Sequence, residues 1–470
     1  MYNIIKGKKK MFLDLDKKEK SSIAAIDDKG GSITYNDLSG FGEEFFQVIK
    51  KRTLIFILSE NCIGALAGYV ASLSVKIVPL LLSSNIDRGM LVNLITIYQP
   101  EYLWVPVRFS SEFNYQLILK KFDYVLLKTG LKLFKLHDDL SILLTTSGST
   151  GSPKLVRHSY LNVEVNARNV AATAELTAEE RGIAILPMHF TMGLFVITSH
   201  LFAGATILMM QLALTERGFW QFIKDQKATN LSGVPYSYEV LNKLRFFNMD
   251  LPDLRLLIQG GGKLKNELFK EYAEFAQKTG KKFLASYGQT EGTSRMAFLK
   301  PDMALDKIGS IGKAVPTGQL SLVDESGEEI AVMEGVGEMV YRGPNVTLGY
   351  AQNGTDLVKG DENNGVLHTG DIARRDADGY YYIVGRISRF LKLYGIRIGL
   401  DETEQMIKSA FDIDCICSGN DEKMIIKITD MTEKDEIHKY VIEKTGLFHS
   451  SVEVVVIDDI PRNEAGKKIY

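Results

Sequence analysis

The chain has 470 residues, of which 45% are hydrophobic and 24% charged, as in an ordinary globular protein that folds in water. At roughly 100 to 200 residues per domain, this length allows two to four domains. The formal net charge of −2 argues against a general nucleic-acid binder, because such proteins carry an excess of lysine and arginine.

The first residues and the cysteines indicate where the protein works. Lys8–Lys10 precede only three apolar residues before Asp14, which is too short an apolar stretch for a signal peptide. Three cysteines are too few for a disulfide framework, and the spacing of Cys415 and Cys417 predicts packing on one face of a strand rather than zinc binding. We therefore expect a cytoplasmic protein.

Residues 54–82 form the most apolar stretch of the chain. Glu60, Asn61 and Lys76 interrupt it, so that it divides into a strand, a helix of small residues and a second strand. The interruptions make each apolar piece shorter than the roughly 20 residues of a membrane-spanning helix. We expect a soluble strand, helix, strand unit and no membrane span.

The same alternation of strands and helices continues to residue 290. It predicts strands at 140–144, 182–186, 205–209 and 282–285, with helices at 161–174 and 266–279. This pattern indicates an α/β architecture with mostly buried parallel strands. From about residue 309, short alternating strands at 319–323, 337–341 and 380–384 predict a small antiparallel barrel or sheet.

Residues 145–154 follow the predicted strand at 140–144 and combine hydroxyls, glycines and one lysine. Glycines allow the backbone to approach an anion, hydroxyls donate hydrogen bonds, and Lys154 adds a positive charge. The glycine spacing differs from that of the common nucleotide loop. A flexible linker is the alternative, but linkers rarely follow an apolar strand within a globular stretch. The segment therefore predicts a phosphate-binding loop.

Three further segments carry groups suited to binding a nucleotide. In residues 287–292, a carboxylate at a strand end can hold Mg²⁺, and Tyr287 can stack on a base. In the second segment, Asp371 and Arg386 can bracket a ribose and a phosphate. The third, at 461–467, ends in a lysine and by itself is only a basic tail.

In their order along the chain, these segments resemble the adenylate-forming superfamily of acyl-CoA synthetases, peptide-synthetase adenylation domains and luciferases. The resemblance covers nearly the whole chain and rests on residues 34–38, 145–154, 260–262, 287–292, 337–344 with 349–350, 369–371, 385–386, 392 with 395–398, and 466–467. A single match can be accidental, whereas nine matches in the family's order cannot.

The resemblance implies roles for the matching residues. The β- and γ-phosphates of ATP would lie in the loop formed by Thr146, Ser147, Gly148, Ser149, Thr150, Gly151 and Lys154. Adenine would bind at Gly260, Gly261, Gly262, Tyr287 and Gly288. Asp371 would bind the ribose hydroxyls with the help of Arg386. Catalysis would depend on Thr290 at the α-phosphate, Glu291 as the Mg²⁺ ligand and Lys467 at the α-phosphate and carboxylate.

The resemblance also implies the domain organisation. A large N-terminal domain of parallel α/β layers and a small β-barrel would span residues 1–385, a hinge 386–388, and a small mobile α+β lid 389–470. Two positions depart from the family pattern: Ser388 stands where Asp or Lys is common at the hinge, and Gly399 where Glu is usual. Both leave the adenylation chemistry intact and put the second conformation in doubt.

The acid pocket is expected at residues 187–194. Amino-acid-activating relatives place an Asp early in this segment, but this chain has no acid there until Glu216, and an unpaired ammonium would be costly to bury. His189 and Gly193 resemble the Pro-x-x-His-x-x-Gly stretch of acyl-CoA synthetases, with the histidine one place early, and a packed core histidine is an equal alternative. Phe190 and Val234 suggest an apolar pocket, so a fatty, aromatic or hydroxylated acid remains open.

We therefore expect an ATP-dependent acid:thiol ligase with ATP and Mg²⁺ as cofactors. A carboxylic acid would be converted to an acyl-adenylate and then transferred to coenzyme A or to the phosphopantetheine of a separate carrier protein. Three alternatives remain open: an amino-acid adenylation enzyme that charges a stand-alone carrier, a non-catalytic ATP-binding partner of a larger complex, and a luciferase-like oxidation.

Overall fold

The computed structural model describes residues 12–145, 154–393, 396–420, 422–464, 466 and 468–469, of which 388, 390, 392, 396 and 397 are described by their backbone alone. The described residues fall into two compact units. The first unit contains the residues up to Ile308 together with Ala314–Gln319 and Arg342–Leu367. The second contains Gly309–Lys313, Leu320–Tyr341 and the residues from His368 onward.

Within the described residues there are ten α-helices, and several begin and end at residues that favour helix boundaries. A capping box joins Thr34 to Asp37 before the first helix, and Gly204 and Gly280 end the fifth and eighth helices in left-handed conformations. The helices are α1 Tyr35–Ile49, α2 Ile63–Ser74, α3 Arg88–Tyr98, α4 Tyr160–Thr173, α5 Thr191–Ala203, α6 Arg217–Asp225, α7 Pro235–Lys243, α8 Asn266–Thr279, α9 Leu400–Phe411 and α10 Lys434–Thr445.

The strands of the described residues are β1 Ile23–Asp27, β2 Ser32–Thr34, β3 Leu54–Ser59, β4 Val78–Ser83, β5 Tyr102–Pro106, β6 Gln116–Lys121, β7 Tyr124–Lys128, β8 Leu140–Thr145, β9 Leu155–Ser159, β10 Arg181–Ala184, β11 Thr206–Met209, β12 Asn230–Gly233, β13 Leu256–Gln259, β14 Lys282–Tyr287, β15 Ala297–Leu299, β16 Lys313–Ala314, β17 Gln319–Val323, β18 Gly335–Arg342, β19 Tyr350–Ala351, β20 Val366–Arg375, β21 Tyr381–Arg386, β22 Phe390–Leu393, β23 Ile396–Gly399, β24 Cys415–Gly419, β25 Met424–Ile428 and β26 Val452–Val456.

The first unit is built on two large sheets with helices packed against them. One sheet includes, in spatial order, β15-β14-β13-β12-β10-β11-β1-β2, and the other has the order β19-β9-β8-β4-β3-β5-β7-β6. Most neighbours in the central part of the first sheet are parallel, and their side chains are almost wholly buried. This confirms the predicted α/β architecture, because strands covered on both faces read as continuous apolar runs.

Among the described residues, the second unit contains three smaller sheets, with the orders β17-β18-β20-β21, β22-β23 and β24-β25-β26. The first of these lies where the sequence predicted a small barrel or sheet. Residues between Leu391 and Val454 form a hydrophobic core of their own, which includes Cys415 and Cys417 as predicted from their packing on one face of β24. All three cysteines of the chain are buried and free of disulfides.

The predicted elements are confirmed with small shifts of their ends. The apolar stretch at 54–82 is the unit β3, α2 and β4, and the helix predicted at 266–279 is α8 with the same bounds. Over the described residues, no helix combines the length and the apolar character that crossing a membrane requires.

The order of the parallel strands brings distant segments together. β14, β13, β12 and β10 are consecutive neighbours, so their carboxyl ends meet at one edge of the sheet. The segments that leave this edge are 185–190, 234, 260–265 and 288–289. Ligands of open α/β sheets bind at such an edge.

Candidate active site

The predicted acid segment and the predicted nucleotide segment meet at this edge. The hydroxyl of Thr191, the first residue of α5, lies 2.8 Å from the hydroxyl of Thr290. A Cβ on Gly260 would lie 3.3 Å from Cε of Met192 and 2.3 Å from Oγ of Ser286. The structure therefore brings 191–192, 260 and 290 together, and it leaves no room for a side chain at Gly260.

Gly288 is required by an even closer approach of the backbone. A Cβ at this position would lie 1.3 Å from the carbonyl oxygen of Ser294, so every other residue would break the turn. The next turn carries backbone strain, because Thr293 and Ser294 both have positive φ, 50° and 79°. Such conformations are unfavourable for a β-branched residue and often occur at functional sites.

Glu291 lies within a small cluster of side chains from distant parts of the first unit. Its Oε1 accepts a hydrogen bond of 2.7 Å from the hydroxyl of Tyr350, and its carbonyl accepts from the backbone of Thr347. Lys154, the last residue of the predicted phosphate loop, places its Nζ 3.3 Å from the centre of the Tyr350 ring. Burial and the neighbouring carboxylate raise the pKa of Tyr350, so the phenol stays protonated and donates.

His158 supports the backbone of the same segment. Its Nε2 lies 3.2 Å from the carbonyl oxygen of Thr290, which corresponds to the tautomer with the proton on Nε2. Complete burial lowers the pKa of His158 to about 4, so the ring is neutral near pH 7. Its Nδ1 has no hydrogen-bond partner among the residues that the structure describes.

The remaining predicted adenine residues lie at the same sheet edge. Gly261 has a φ of 76°, and the carbonyl of Gly262 accepts a hydrogen bond of 2.7 Å from Gln259. The hydroxyl of Tyr287 accepts one of 3.0 Å from the side chain of Gln289. These contacts hold the glycine turn and the tyrosine in place, whereas their role towards adenine remains a prediction.

Asp371 and Arg386 are brought together in the second unit, as their pairing in the sequence analysis requires. They lie opposite each other on β20 and β21, and Nε of Arg386 donates to the carboxylate of Asp371 over 2.6 Å. The carboxylate is nearly buried at 3% exposure, while the side chain of Arg386 is 52% exposed. The exposed guanidinium remains accessible to a ligand.

The residues predicted to line the acid pocket are mostly buried. His189 is 8% exposed and its ring centre lies 4.4 Å from that of Phe190, which directly precedes α5. Gly193 has no space for a side chain, because a Cβ would lie 2.4 Å from the carbonyl oxygen of Pro187. Val234 is buried and directly precedes α7. Both the pocket and the core alternatives for His189 require such burial.

Some predicted residues lie outside the described part of the chain. They are Thr146, Ser147, Gly148, Ser149, Thr150 and Gly151 of the phosphate loop, and Lys467 near the C-terminus. Of that loop, Lys154 is described.

Sequence reasoning assigned no role to Tyr350, Thr191 or His158. Gly349 and Tyr350 were part of the family resemblance, but nothing near them in the sequence indicates a contact with Glu291, 59 positions away. Thr191 lies within the predicted acid segment, and nothing near it in the sequence indicates a contact with Thr290, 99 positions away.

The donor set around Glu291 fits a magnesium ion. Mg²⁺ usually takes one or two carboxylates from the protein and completes its octahedron with phosphate oxygens and water. Among the described residues there is no group of three or more His, Cys, Asp or Glu side chains that can hold a metal. An ion at Glu291 would therefore take most of its ligands from a bound nucleotide and water.

The sequence profile of the AMP-binding enzyme family matches residues 16–351, well over half of the chain. The protein belongs to this family. It is an AMP-forming ligase that activates a carboxylic acid with ATP, as the arrangement of segments in the sequence predicted.

Individual relatives agree with this assignment. The chain is 27% identical over 463 residues to 2-succinylbenzoate–CoA ligase of Oceanobacillus iheyensis, covering 94% of this chain and 93% of the relative. It is 30% identical over 347 residues to oxalate–CoA ligase of Arabidopsis thaliana, which covers 70% of this chain and 66% of that relative. The structure of the O-succinylbenzoate coenzyme A synthetase MenE of Bacillus subtilis in complex with AMP matches with a TM-score of 0.79 at 21% identity, over 98% of this chain and 97% of that one. The last similarity confirms the fold.

Proposed function

We propose that the protein is an acid:coenzyme A ligase that uses Mg²⁺-ATP. The observation that carries the proposal is the convergence of Lys154, Tyr350 and Thr191 on the Thr290–Glu291 pair, in a chain that belongs to the AMP-binding family. This cluster combines a cation, a carboxylate and hydroxyl donors, which together suit a triphosphate and its metal ion.

The reaction would run in two steps. The carboxylate of the acid attacks the α-phosphorus of ATP, pyrophosphate leaves, and a mixed anhydride of the acid and AMP remains. The thiolate then attacks the acyl carbon, AMP leaves with the bonding electron pair, and a thioester forms. Negative charge increases at the phosphate in the first step, so each positioned cation or donor there contributes on the order of 3 kcal/mol.

The residues of the site would divide these tasks. In this proposal the 146–151 loop and Lys154 bind the terminal phosphates, and Gly260–Gly262, Tyr287 and Gly288 bind adenine. Glu291 holds Mg²⁺, which supplies charge neutralisation at the phosphates when bound. Thr290 binds the α-phosphate, with its hydroxyl positioned by Thr191. Asp371 binds the ribose with Arg386, and Lys467 binds the reacting carboxylate and the α-phosphate.

Coenzyme A is the acceptor we favour. Two relatives, 2-succinylbenzoate–CoA ligase and oxalate–CoA ligase, carry coenzyme A in their names. A separate carrier protein would present the same phosphopantetheine thiol and is the alternative acceptor. The small carboxylic acid is the other substrate.

We place the protein in the cytoplasm, where thiols stay reduced. Its three buried free cysteines agree with this location.

A domain movement would separate the two steps. We place the N-terminal domain at 1–385, the hinge at 386–388 and the lid at 389–470. The separate hydrophobic core of residues 391–454 supports a lid that moves as one body. Such a movement carries different groups to the same reacting centre in each step.

The test is ATP–pyrophosphate exchange over a panel of carboxylic acids, fatty acids and amino acids, followed by mass spectrometry of the thioester. We expect exchange with at least one carboxylic acid and a coenzyme A thioester as product. Glu291→Gln should reduce kcat/KM about a hundredfold, because it removes the carboxylate that holds Mg²⁺. Glu271→Gln, on the exposed face of α8, is the matched control and should be unchanged.

Other outcomes would contradict the proposal in distinguishable ways. Exchange with amino acids alone and product formed only on a carrier protein would indicate an adenylation enzyme for a carrier. ATP binding without exchange for any acid would indicate a non-catalytic partner. Oxygen-dependent turnover of the adenylate would indicate a luciferase-like oxidation.

A further inference from the structure

Arg295 is a buried cation for which the described residues supply no counter-charge. It is 2% exposed, and its Nε and Nη2 have no hydrogen-bond partner among the residues that the structure describes. Within the described part of the chain, its Nη1 makes one long contact, of 3.3 Å, with the hydroxyl of Ser294. A guanidinium has five N–H donors, so most of its binding capacity is unused.

The backbone of Arg295 is held firmly within the active-site hairpin. Its carbonyl accepts hydrogen bonds from the side chains of Asn166, at 3.1 Å, and Asn345, at 3.3 Å. Its Cα lies 3.0 Å from the position that a Cβ on Gly288 would take. Arg295 therefore belongs to the same turn as the predicted nucleotide residues, two positions after the strained Thr293.

Tyr238 is a second buried polar side chain, and it adjoins Val234 of the predicted acid pocket. The ring of Tyr238 packs against Gly233, where a Cβ would lie 3.3 Å from its Cε2, and so it adjoins Val234. Burial raises the pKa of Tyr238, and the charge of Arg295 opposes this effect. The hydroxyl of Tyr238 also has no hydrogen-bond partner among the described residues.

The charge of Arg295 persists at neutral pH. Burial lowers the pKa of this guanidinium only to about 10, which leaves it protonated near pH 7. Among the described residues, the charge of Arg295 acts on Tyr238 and on His200, and burial lowers the pKa of His200. Neither of these neutral side chains supplies the negative charge that would compensate the arginine.

An uncompensated buried ion is a large energetic cost. Removing an ion from water costs several kcal/mol even after relaxation, and proteins normally offset this by pairing the ion with a carboxylate. A buried ion without such a carboxylate, located in an active site, points to a ligand that supplies the missing partner. The missing partner is an anion.

We infer that Arg295 binds a second anionic group of the acid substrate, so that the enzyme activates a dicarboxylic acid. One carboxylate reacts with ATP, and the other accepts hydrogen bonds from Nε and Nη2 of Arg295. This inference rests on the proposed function and narrows its substrate class. The acids in the names of the two relatives, 2-succinylbenzoate and oxalate, also contain two carboxyl groups.

The experiment compares acids that differ only in the second carboxylate. Pyrophosphate exchange is measured with the pairs 2-succinylbenzoate and 4-oxo-4-phenylbutanoate, phthalate and benzoate, and glutarate and pentanoate. The wild-type protein should favour the dicarboxylic member of at least one pair by about tenfold or more. Arg295→Met should reduce kcat/KM for that acid by about thirtyfold or more, which corresponds to about 2 kcal/mol for a buried charge pair.

Two controls separate recognition from folding. Arg295→Met should leave kcat/KM for the monocarboxylic member within about threefold, since that acid does not use the guanidinium. Arg295→Lys retains a charge without the planar fork and should recover part of the dicarboxylate activity. The favoured dicarboxylate should also raise the Tm of the wild-type protein more than that of Arg295→Met.

The outcomes distinguish this inference from the proposed function. Exchange with monocarboxylic acids alone, or an unchanged preference in Arg295→Met, would overturn the inference and leave the ligase function intact. Absence of exchange with every acid, in wild type and variants alike, would remove both.

Discussion

Two buried arginines in the first unit have opposite surroundings. Arg157, on β9, is wholly buried, and its guanidinium donates to the carbonyls of Leu348, Tyr350, Lys359 and Gly360 and to the carboxylate of Glu362. Arg295 is equally buried and lacks partners for Nε and Nη2 among the described residues. The comparison shows that burial alone does not indicate the role of a charge, whereas its partners do.

The partners of Arg157 also explain why it matters to the active site. By holding the segment 348–362, Arg157 positions Tyr350, whose hydroxyl contacts Glu291. Its role is therefore structural, with an indirect effect on catalysis. Arg295 contributes little to the fold by hydrogen bonding and retains its donors for a ligand. His158, adjacent to Arg157, lies between these two cases in its hydrogen bonding. Among the described residues, its Nε2 has a partner and its Nδ1 has none.

The largest effect is expected for Arg157→Met. It leaves several buried carbonyls without donors, so the free energy of unfolding should fall by about 3 to 5 kcal/mol. Chemical denaturation measures this loss, with the exposed Arg217→Met as control. A loss below 1 kcal/mol would mean that water replaces the guanidinium and would weaken the contrast with Arg295.

The change of the unfolding free energy with pH tests the surroundings of His158, which has a hydrogen-bond partner for one ring nitrogen. Its folded pKa of about 4 lies below the ordinary value of 6.5, so the unfolded chain binds the proton first as the pH falls. Between pH 6.5 and pH 4 this group should cost the wild-type protein about 3 kcal/mol of unfolding free energy. His158→Gln cannot titrate, and its unfolding free energy should decrease less over this window. Parallel curves for the two proteins would contradict the assigned pKa.

Tyr350→Phe tests the contact between the segment held by Arg157 and Glu291, the proposed Mg²⁺ ligand. The variant loses the hydrogen bond to Glu291 and keeps the ring that contacts Lys154. A hydrogen bond to a charged group contributes about 1.5 kcal/mol or more, so kcat/KM should fall about tenfold. Tyr115→Phe, distant in sequence, is the control. Equal activity of the two variants would show that the hydroxyl does not position Glu291.

The smallest effect on stability is expected for Arg295→Met. Replacing an unpaired buried cation with an apolar side chain of similar length should leave the unfolding free energy unchanged or raise it by about 1 kcal/mol. Denaturation under the same conditions as for Arg157→Met gives the direct comparison. A loss similar to that of Arg157→Met would show that Arg295 has a structural partner and would remove the contrast.

The sequence alone predicted the elements around these arginines with good accuracy. The apolar run at 140–144 and the helical period at 266–279 correspond to β8 and α8, because local burial and periodicity are sufficient to specify such elements. Gly288 and Glu291 lie within one short motif, and the structure shows why Gly288 must be a glycine, whereas the role of Glu291 towards Mg²⁺ stays a prediction. The ends of strands shifted by one or two residues, as at β10, because neighbouring strands determine where pairing stops.

The sequence by itself determined the family, the layered α/β architecture and the groups expected to bind ATP, because each depends on short local patterns and on their order along the chain. The tertiary structure alone decided which buried polar groups acquired partners. Arg157 finds its acceptors about 190 to 205 positions away, and Tyr350 finds Glu291 59 positions away. Such pairs form only when the sheets bring distant segments together, and for that reason the unpaired Arg295 could be recognised only in the folded molecule.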